Sequence, residues 1–334
     1  MSNYIIAFDI GGTRIKYGVV SLDGTLEKTA MIPSNNNDGP EELFSTIDQC
    51  VSVIRSTQKG ALAGIALGLS GGVDPDFGVV LLPGKFKSLE GYPIVPLLKE
   101  RYQVPVFADN DGRLAAYAEK YFGKVNNRDW AVVLTIGTGI GSGVILNGQI
   151  LSDPHLLFGT QIGHLVLNTS DDRTCLTGNK GTGEILCSST ALALQVRSAI
   201  QRGIPSELTD LYYQDPFRID FHQVIQACRN GDDLCLQELQ VWIHNLSMVL
   251  INAVHCYAPK VIILSGGATH AADLFLNQLR ERVNRQVFRC PKDRQIEIVI
   301  SEMQEYAGVM GAAAMMMEKI NFIKDARVDK INLK

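Results

Sequence analysis

Apolar residues in this chain fall into short runs that end at glycine, and one such arrangement occurs twice. Residues 5–26 (IIAFDIGGTRIKYGVVSLDGTL) and 132–151 (VVLTIGTGIGSGVILNGQIL) each read as an apolar strand, a Gly-rich turn, a second strand, a tight corner and the start of a third strand. In the first copy Ile15, Tyr17 and Val19 alternate with Lys16 and Gly18, the period of two that a strand shows. The corners are Asp23-Gly24 and Asn147-Gly148, pairs that accept the positive φ of a short hairpin turn. The turns that join the first two strands are Gly11-Gly12-Thr13 and Gly137-Thr138-Gly139.

Between and after the copies the period changes. Leu43, Ile47, Val51 and Ile54 recur at helical spacing within 41–58, after a polar Asn/Pro loop. Residues 63–69 (AGIALGL) predict a buried strand ending at Ser70-Gly71-Gly72, 95–101 a short helix, and 104–108 (VPVFA) another strand. That strand stops at Asp109-Asn110-Asp111-Gly112, and a helix is expected over 113–121. Past a polar boundary at 123–129 the second half repeats the order. It holds the cassette, an irregular insertion at about 152–183, helices, an apolar strand over 261–265, Gly266-Gly267 and a helix. The last helical stretch, 306–320, carries Gly308, Gly311 and Ala312–Ala314, which suit close packing. The alternation predicts an α/β protein whose two sheets each start as a β-meander and continue as βαβ units. A Rossmann unit would pass from the Gly-rich turn into a helix, and no G-x-x-x-x-G-K-[ST] loop is present.

Composition narrows the class. The 334 residues suffice for two domains, and 46% hydrophobic with 20% charged residues is ordinary for a globular chain. A net charge of -4 gives no reason to expect nucleic acid or a membrane surface as partner. Glycines break the most apolar stretches, so no run of membrane-span length is expected, and the N-terminus lacks the cationic lead of a signal peptide. Seven scattered cysteines without a C-x-x-C pair read as reduced thiols in a cytoplasmic protein.

The candidate chemistry sits at the glycines and the strand ends. In Asp9-Ile-Gly-Gly-Thr13 the glycines let backbone N–H groups approach phosphate oxygens, Thr13 adds a hydroxyl and Asp9 can hold a hydrated Mg²⁺. A hairpin turn alone would also explain the glycines, but the second copy at Gly137-Thr138-Gly139 strengthens the phosphate reading. Gly266-Gly267 suits close approach of a nucleotide base or ribose. Asn110-Asp111 admits two readings: a helix N-cap, or a carboxylate that accepts the proton of an alcohol attacking a γ-phosphate. His164 and Glu184 taken singly read as a structural histidine and a surface or capping carboxylate.

Together, Asp9-Ile-Gly-Gly-Thr13, Asn110-Asp111, Thr135-Ile-Gly-Thr-Gly139, Gly163-His164, Gly266-Gly267 and Gly308-Val-Met-Gly-Ala-Ala313 resemble the ROK family across essentially the whole chain. That name covers repressors, open reading frames and sugar kinases of the actin-like ATPase superfamily. The resemblance implies an actin-like (ribonuclease H-like) two-lobed fold, with lobes at 1–118 plus about 315–334 and at 119–314. It also implies ATP and Mg²⁺ as cofactors, a hexose substrate phosphorylated at C6, and a homodimer. Asp111 matches the family's catalytic base; Asn110, His164 and Glu184 match its sugar-binding positions. The helix at 241–258 is apolar enough for an interface, and core packing explains it equally well.

Three positions depart from the family pattern. Gln161 stands in place of a sugar-binding glutamate, keeping hydrogen-bonding capacity without the charge. The zinc motif C-x-C-G-x-x-G-C-x-E reads Cys175-Leu-Thr177-Gly178-Asn179-Lys180-Gly181-Thr182-Gly183-Glu184, so no zinc is expected. Leu82-Pro83-Gly84-Lys85 lacks the family's asparagine, leaving Lys85 as a solvated lysine or a contact to a polar substrate group. The family's repressors carry a helix-turn-helix ahead of the first cassette, where only four residues stand here, so that reading ranks below the kinase. A sugar sensor or degenerate kinase without turnover is the further alternative.

Overall fold

The computed structural model describes residues 3–331 except 13, 35–38, 75–76, 83–86, 126–127, 153–154, 156–159 and 304–305. Thr13 and Lys85 lie outside the described residues. Contacts divide the chain into two units: Met1–Asn126 with Ile150–Gly159 and Glu302–Lys334, and Asn127–Gln149 with Thr160–Ser301.

In the first unit β1 (Tyr4–Ile10), β2 (Arg14–Ser21) and β3 (Leu26–Pro33) form the antiparallel meander. Helix α1 (Pro40–Thr57) leads to β4 (Leu62–Leu69), which runs parallel to β1. A ribbon of β5 (Gly72–Val73) and β6 (Val80–Leu82) and helix α2 (Ile94–Tyr102) precede β7 (Val106–Asn110), parallel to β4. The sheet order is β3-β2-β1-β4-β7. Strand β1 is buried on both faces, and its period of two assigns each face a different cover. Tyr4, Ile6, Phe8 and Ile10 cluster with Leu43, Ile47 and Val51 of α1 and Ile94 and Leu98 of α2. Ile5 and Ala7 point the other way, onto Leu114 and Tyr117 of α3 (Asp111–Tyr121).

Helix α3 starts at Asp111, two residues ahead of the sequence expectation, for a local reason. The Asn110 side chain accepts the N–H groups of Gly112 (2.9 Å) and Arg113 (3.4 Å), satisfying donors that the first helical turn leaves open. Such a cap contributes about 1 kcal/mol.

The second unit repeats the design. Strands β8 (Ala131–Ile136), β9 (Ile140–Leu146) and β10 (Gln149–Ile150) come first; β11 (Val261–Ser265) lies parallel to β8 and β12 (Glu297–Ile300) parallel to β11. The order β10-β9-β8-β11-β12 matches the first sheet strand for strand. Strand β12 escapes the sequence pattern because it has four residues and only Ile298 is buried. Around this sheet are α4 (Gly183–Cys187), α5 (Ser189–Gln201), α6 (Thr209–Gln214), α7 (Phe221–Asn230), α8 (Asp233–Tyr257) and α9 (Ala272–Gln286). By length and composition α8 is apolar enough to cross a membrane, which corrects the expectation that no run reaches that size. Its apolarity is accounted for by the core: Trp242, Ile243, Leu246, Val249 and Leu250 have no exposed surface, and the Trp242 indole N–H donates to the Ser188 carbonyl at 3.0 Å.

The chain then returns to the first unit with α10 (Ala307–Ile331), whose Val309–Met316 stretch covers the Ile5, Ala7 and Ala66 face beside α3. The return begins at Glu302, ahead of the expected residue 315, because α10 packs on β1 and β4 from its first turns. Helices α10 and α3 touch backbone to backbone: a Cβ at Gly311 would lie 1.9 Å from the Leu114 carbonyl oxygen. In an ordinary helix Ala is favoured over Gly by about 1 kcal/mol. Here no rotamer change relieves the overlap, so Gly311→Ala is expected to destabilise the protein by about 1–3 kcal/mol. Urea denaturation checks the sign; an unchanged or raised midpoint would show that α10 shifts freely.

Candidate active site

Three strand ends position the first unit's share. The registers Asp9↔Gly68 and Gly68↔Asp109 place the two aspartates on either side of Gly68, at the carboxyl ends of parallel β1, β4 and β7. Ligand sites in open α/β sheets form at that end. At the β1–β2 turn the Gly11 N–H donates to the Arg14 carbonyl at 3.0 Å. The Asp9 carboxylate lies against α10, where a Cβ at Gly308 would come within 2.5 Å of Asp9 Cγ. The missing side chain at Gly308 therefore makes room for the carboxylate, a hard oxygen donor suited to Mg²⁺ or to its water shell.

Beside it, Asn110 divides its amide between two tasks: the oxygen caps α3, and Nδ2 donates to the Gly71 carbonyl at 2.8 Å. Asp111 is the first helical residue and is exposed, with Oδ1 accepting the Gly112 N–H at 2.8 Å. The cap is thus Asn110, which leaves the catalytic reading of Asp111 standing beside a local backbone contact. Beneath both residues Asp109 and Arg113 form an ion pair, with side chains 5% and 4% exposed. Arg113 Nε donates to Asp109 Oδ1 at 2.8 Å, and Nη1 reaches Ser152 Oγ at 3.3 Å. Asp109 Oδ1 also accepts the Asn110 N–H at 2.6 Å, so the pair fixes the strand end that carries Asn110 and Asp111. Burial pushes the Asp109 carboxyl up, and the Arg113 guanidinium opposes it.

In the second unit the β8–β9 turn closes with the Gly137 N–H donating to the Gly139 carbonyl at 3.0 Å. Space around Gly137 and Gly267 is open. Gly266, by contrast, has φ +90° and a Cβ there would sit 2.6 Å from the Ile136 carbonyl oxygen, so the β8–β11 packing itself requires glycine. Glu184, in the first turn of α4, turns onto the turn backbone: Oε2 accepts the Ile140 N–H at 3.1 Å. Gln161 is exposed and precedes a single 3₁₀ turn, Ile162–His164. That turn is fastened by Ser142, whose hydroxyl donates to the Thr160 carbonyl (2.9 Å) and accepts the Ile162 N–H (3.1 Å). The Gly183 N–H donates to the Leu165 carbonyl at 2.9 Å, which brings the start of α4 beside the His164 turn. The unit thereby gathers Gly137–Gly139, His164 and Glu184 in one place. Ser142 lies within the second cassette and Asp109 beside Asn110-Asp111, but nothing in the amino-acid pattern marks the supporting roles of Ser142, Asp109 and Arg113.

The family's zinc position is filled by His164, Cys175, Thr177 and Thr182. The Cys175 sulfur lies 3.0 Å from Thr177 Oγ1, a hydrogen bond within the loop. His164 Nδ1 and Thr182 Oγ1 are buried without a hydrogen-bond partner among the described residues. One thiol, one imidazole and two neutral hydroxyls do not make a structural zinc set, which takes four Cys or His ligands. The donor set does not fit zinc. The loop closes instead through the Val166↔Thr182 and Thr174↔Lys180 bridges and the Cys175 N–H to Asn179 carbonyl bond at 2.9 Å. Burial pushes the Cys175 thiol up, but the Thr177 hydroxyl, the nearby His164 ring and the backbone N–H groups outweigh it and bring it to about 6.

Proteins similar to this chain are numerous. The glucokinase of Thermotoga maritima is 28% identical over 319 residues, spanning 95% of this chain and 98% of that protein. A Streptomyces griseus ROK family glucokinase, solved in complex with glucose and AMPPNP, superposes with TM-score 0.79 at 22% identity, covering 93% of this chain and 98% of that one. A ROK family transcriptional regulator homologous to the E. coli MLC protein superposes with TM-score 0.83 at 24% identity, covering 95% of this chain and 78% of its own. These likenesses show the actin-like α/β fold of ROK structures. With the ROK family matched from residue 5 to residue 319, this chain belongs to that family.

Proposed function

We propose that this protein is an ATP-dependent hexose kinase transferring the γ-phosphoryl group to the C6 hydroxyl. The observation that carries the reading is the exposed carboxylate of Asp111 at the capped start of α3, directly after β7, in the sheet whose β1 carries Asp9 near its end and runs into a Gly-rich turn. Asp111 accepts the proton of the attacking hydroxyl and orients its oxygen. Asn110, Gln161, His164 and Glu184 bind the other hydroxyls, Gln161 without a charge. Within the Gly11–Thr13 and Gly137–Gly139 turns the Gly11 and Gly137 N–H groups close the turns, the remaining backbone N–H groups hold phosphate oxygens, and Gly266 and Gly267 flank the nucleoside. Asp9 holds Mg²⁺ through water; the ion supplies neutralisation of phosphate charge. Positioning and electrostatics of this kind are most of what phosphoryl transfer requires.

A second reading, a sugar-responsive regulator, is supported by 27% identity over 82% of this chain to the xylose repressor of Caldicellulosiruptor bescii. An ADP-release assay with Mg²⁺ separates the two, run over glucose, mannose, N-acetylated hexosamines, fructose, allose and β-glucosides. At least one sugar is expected to raise ADP release well above the sugar-free rate. Flat rates across the panel would sink the kinase reading and leave the regulator.

A further inference from the structure

Glu184 has a contact that hydroxyl binding does not account for. Its Oε2 accepts the Ile140 N–H at 3.1 Å, and a Cβ at Gly139 would stand 2.2 Å from the same oxygen. The carboxylate therefore lies on the β8–β9 turn, against a backbone donor at the edge of the Gly-rich stretch. An anionic oxygen on the N–H groups of a Gly-rich turn is the arrangement that a phosphate oxygen takes up. A phosphate on the neighbouring turn and this carboxylate would repel each other at close range.

We infer that Glu184 couples the two substrates, lying on the phosphate turn when no hexose is bound and leaving it when hexose hydroxyls engage its carboxylate. This rests on the kinase reading. In the sugar-free protein the side chain is a built-in competitor of the nucleotide's phosphates. Hexose removes the competitor, so nucleotide affinity rises, and by reciprocity nucleotide raises hexose affinity by the same factor. Gly139 is needed for this, because any side chain there would meet the carboxylate.

The sign of the mutant effect separates this role from others. AMP-PNP binding with Mg²⁺ is measured by calorimetry on wild-type protein, Glu184→Ala and Glu184→Gln, with and without the panel sugars. Without sugar, Glu184→Ala is expected to bind AMP-PNP roughly tenfold more tightly than wild type, within the usual range of coupling between sites. The sugar dependence expected of wild type should vanish in this variant. Glu184→Gln, which keeps the shape and the hydrogen bond without the charge, is expected to fall between them. Unchanged sugar-free affinity in both variants would confine Glu184 to the sugar and overturn the coupling. Weaker affinity would make it a prop for the turn and would overturn the coupling equally. Wild-type protein that binds no AMP-PNP under either condition would remove the kinase reading itself, and the coupling with it.

Discussion

Asp111→Ala is expected to lower hexose-dependent ADP release by about 10²–10⁴-fold, the usual contribution of a positioned general base. Hexose binding should stay measurable, because Asn110, Gln161, His164 and Glu184 are untouched. The fold should survive as well, since Asp111 is exposed and the α3 cap is carried by Asn110. Asp111→Asn is the sharper variant. It keeps an oxygen for the Gly112 N–H, at 2.8 Å in the native protein, but cannot take a proton. Equal rate losses in the two variants, with melting temperatures near the wild-type value, would locate the effect in proton transfer. Near-normal turnover by either would refute the assignment of the base.

Arg113→Met is expected to have the largest effect on stability, about 3–5 kcal/mol, because it leaves the Asp109 carboxylate buried without its partner. Burial already raises the Asp109 carboxyl, and the guanidinium is the main opposing influence. Removing it raises the folded-state value further above the unfolded one. A carboxyl shifted in that direction favours folding when protonated and opposes it when ionised, so the penalty grows as pH rises through the folded-state value. Denaturation at pH 5 and pH 7 should therefore show a smaller deficit at pH 5. A deficit independent of pH would mean that lost packing, not the stranded charge, is responsible. Adding Asp109→Leu to Arg113→Met should recover much of the loss, as replacing both members of a buried pair commonly does.

The meander strands were legible because their cause is local. Alternation in Ile15–Val19 and the glycine corners fix a hairpin wherever they occur, and the repeat doubled the signal. The start of α3 differs by two residues from the sequence expectation because Asn110 and Asp111 are both good caps, and only the bonds to Gly112 and Arg113 decide between them. The motif positions proposed for the site were singled out through family resemblance rather than spacing. What supports those positions was not. Ser142 and Ile162 are 20 residues apart, Glu184 and Ile140 44 apart, and pairing at such distances follows from tertiary packing that no window of sequence encodes. The role of Gly311 was visible as smallness alone; that its space belongs to the Leu114 carbonyl is a property of two helices meeting.

The placement of α10 sets the order in which the molecule can be completed as it is made. The sheet face bearing Ile5, Ala7 and Ala66 is covered in part by α3, and Val309–Met316 complete the cover. Ala66 and Ala307 are about 240 residues apart. At roughly 5–20 residues per second of synthesis, that face waits on the order of 10–50 s for its cover. The intervening second unit has most of its own strands and helices in hand well before then. The half of the protein translated first is therefore finished last, and its half-covered apolar face is the surface that needs protection in the nascent chain.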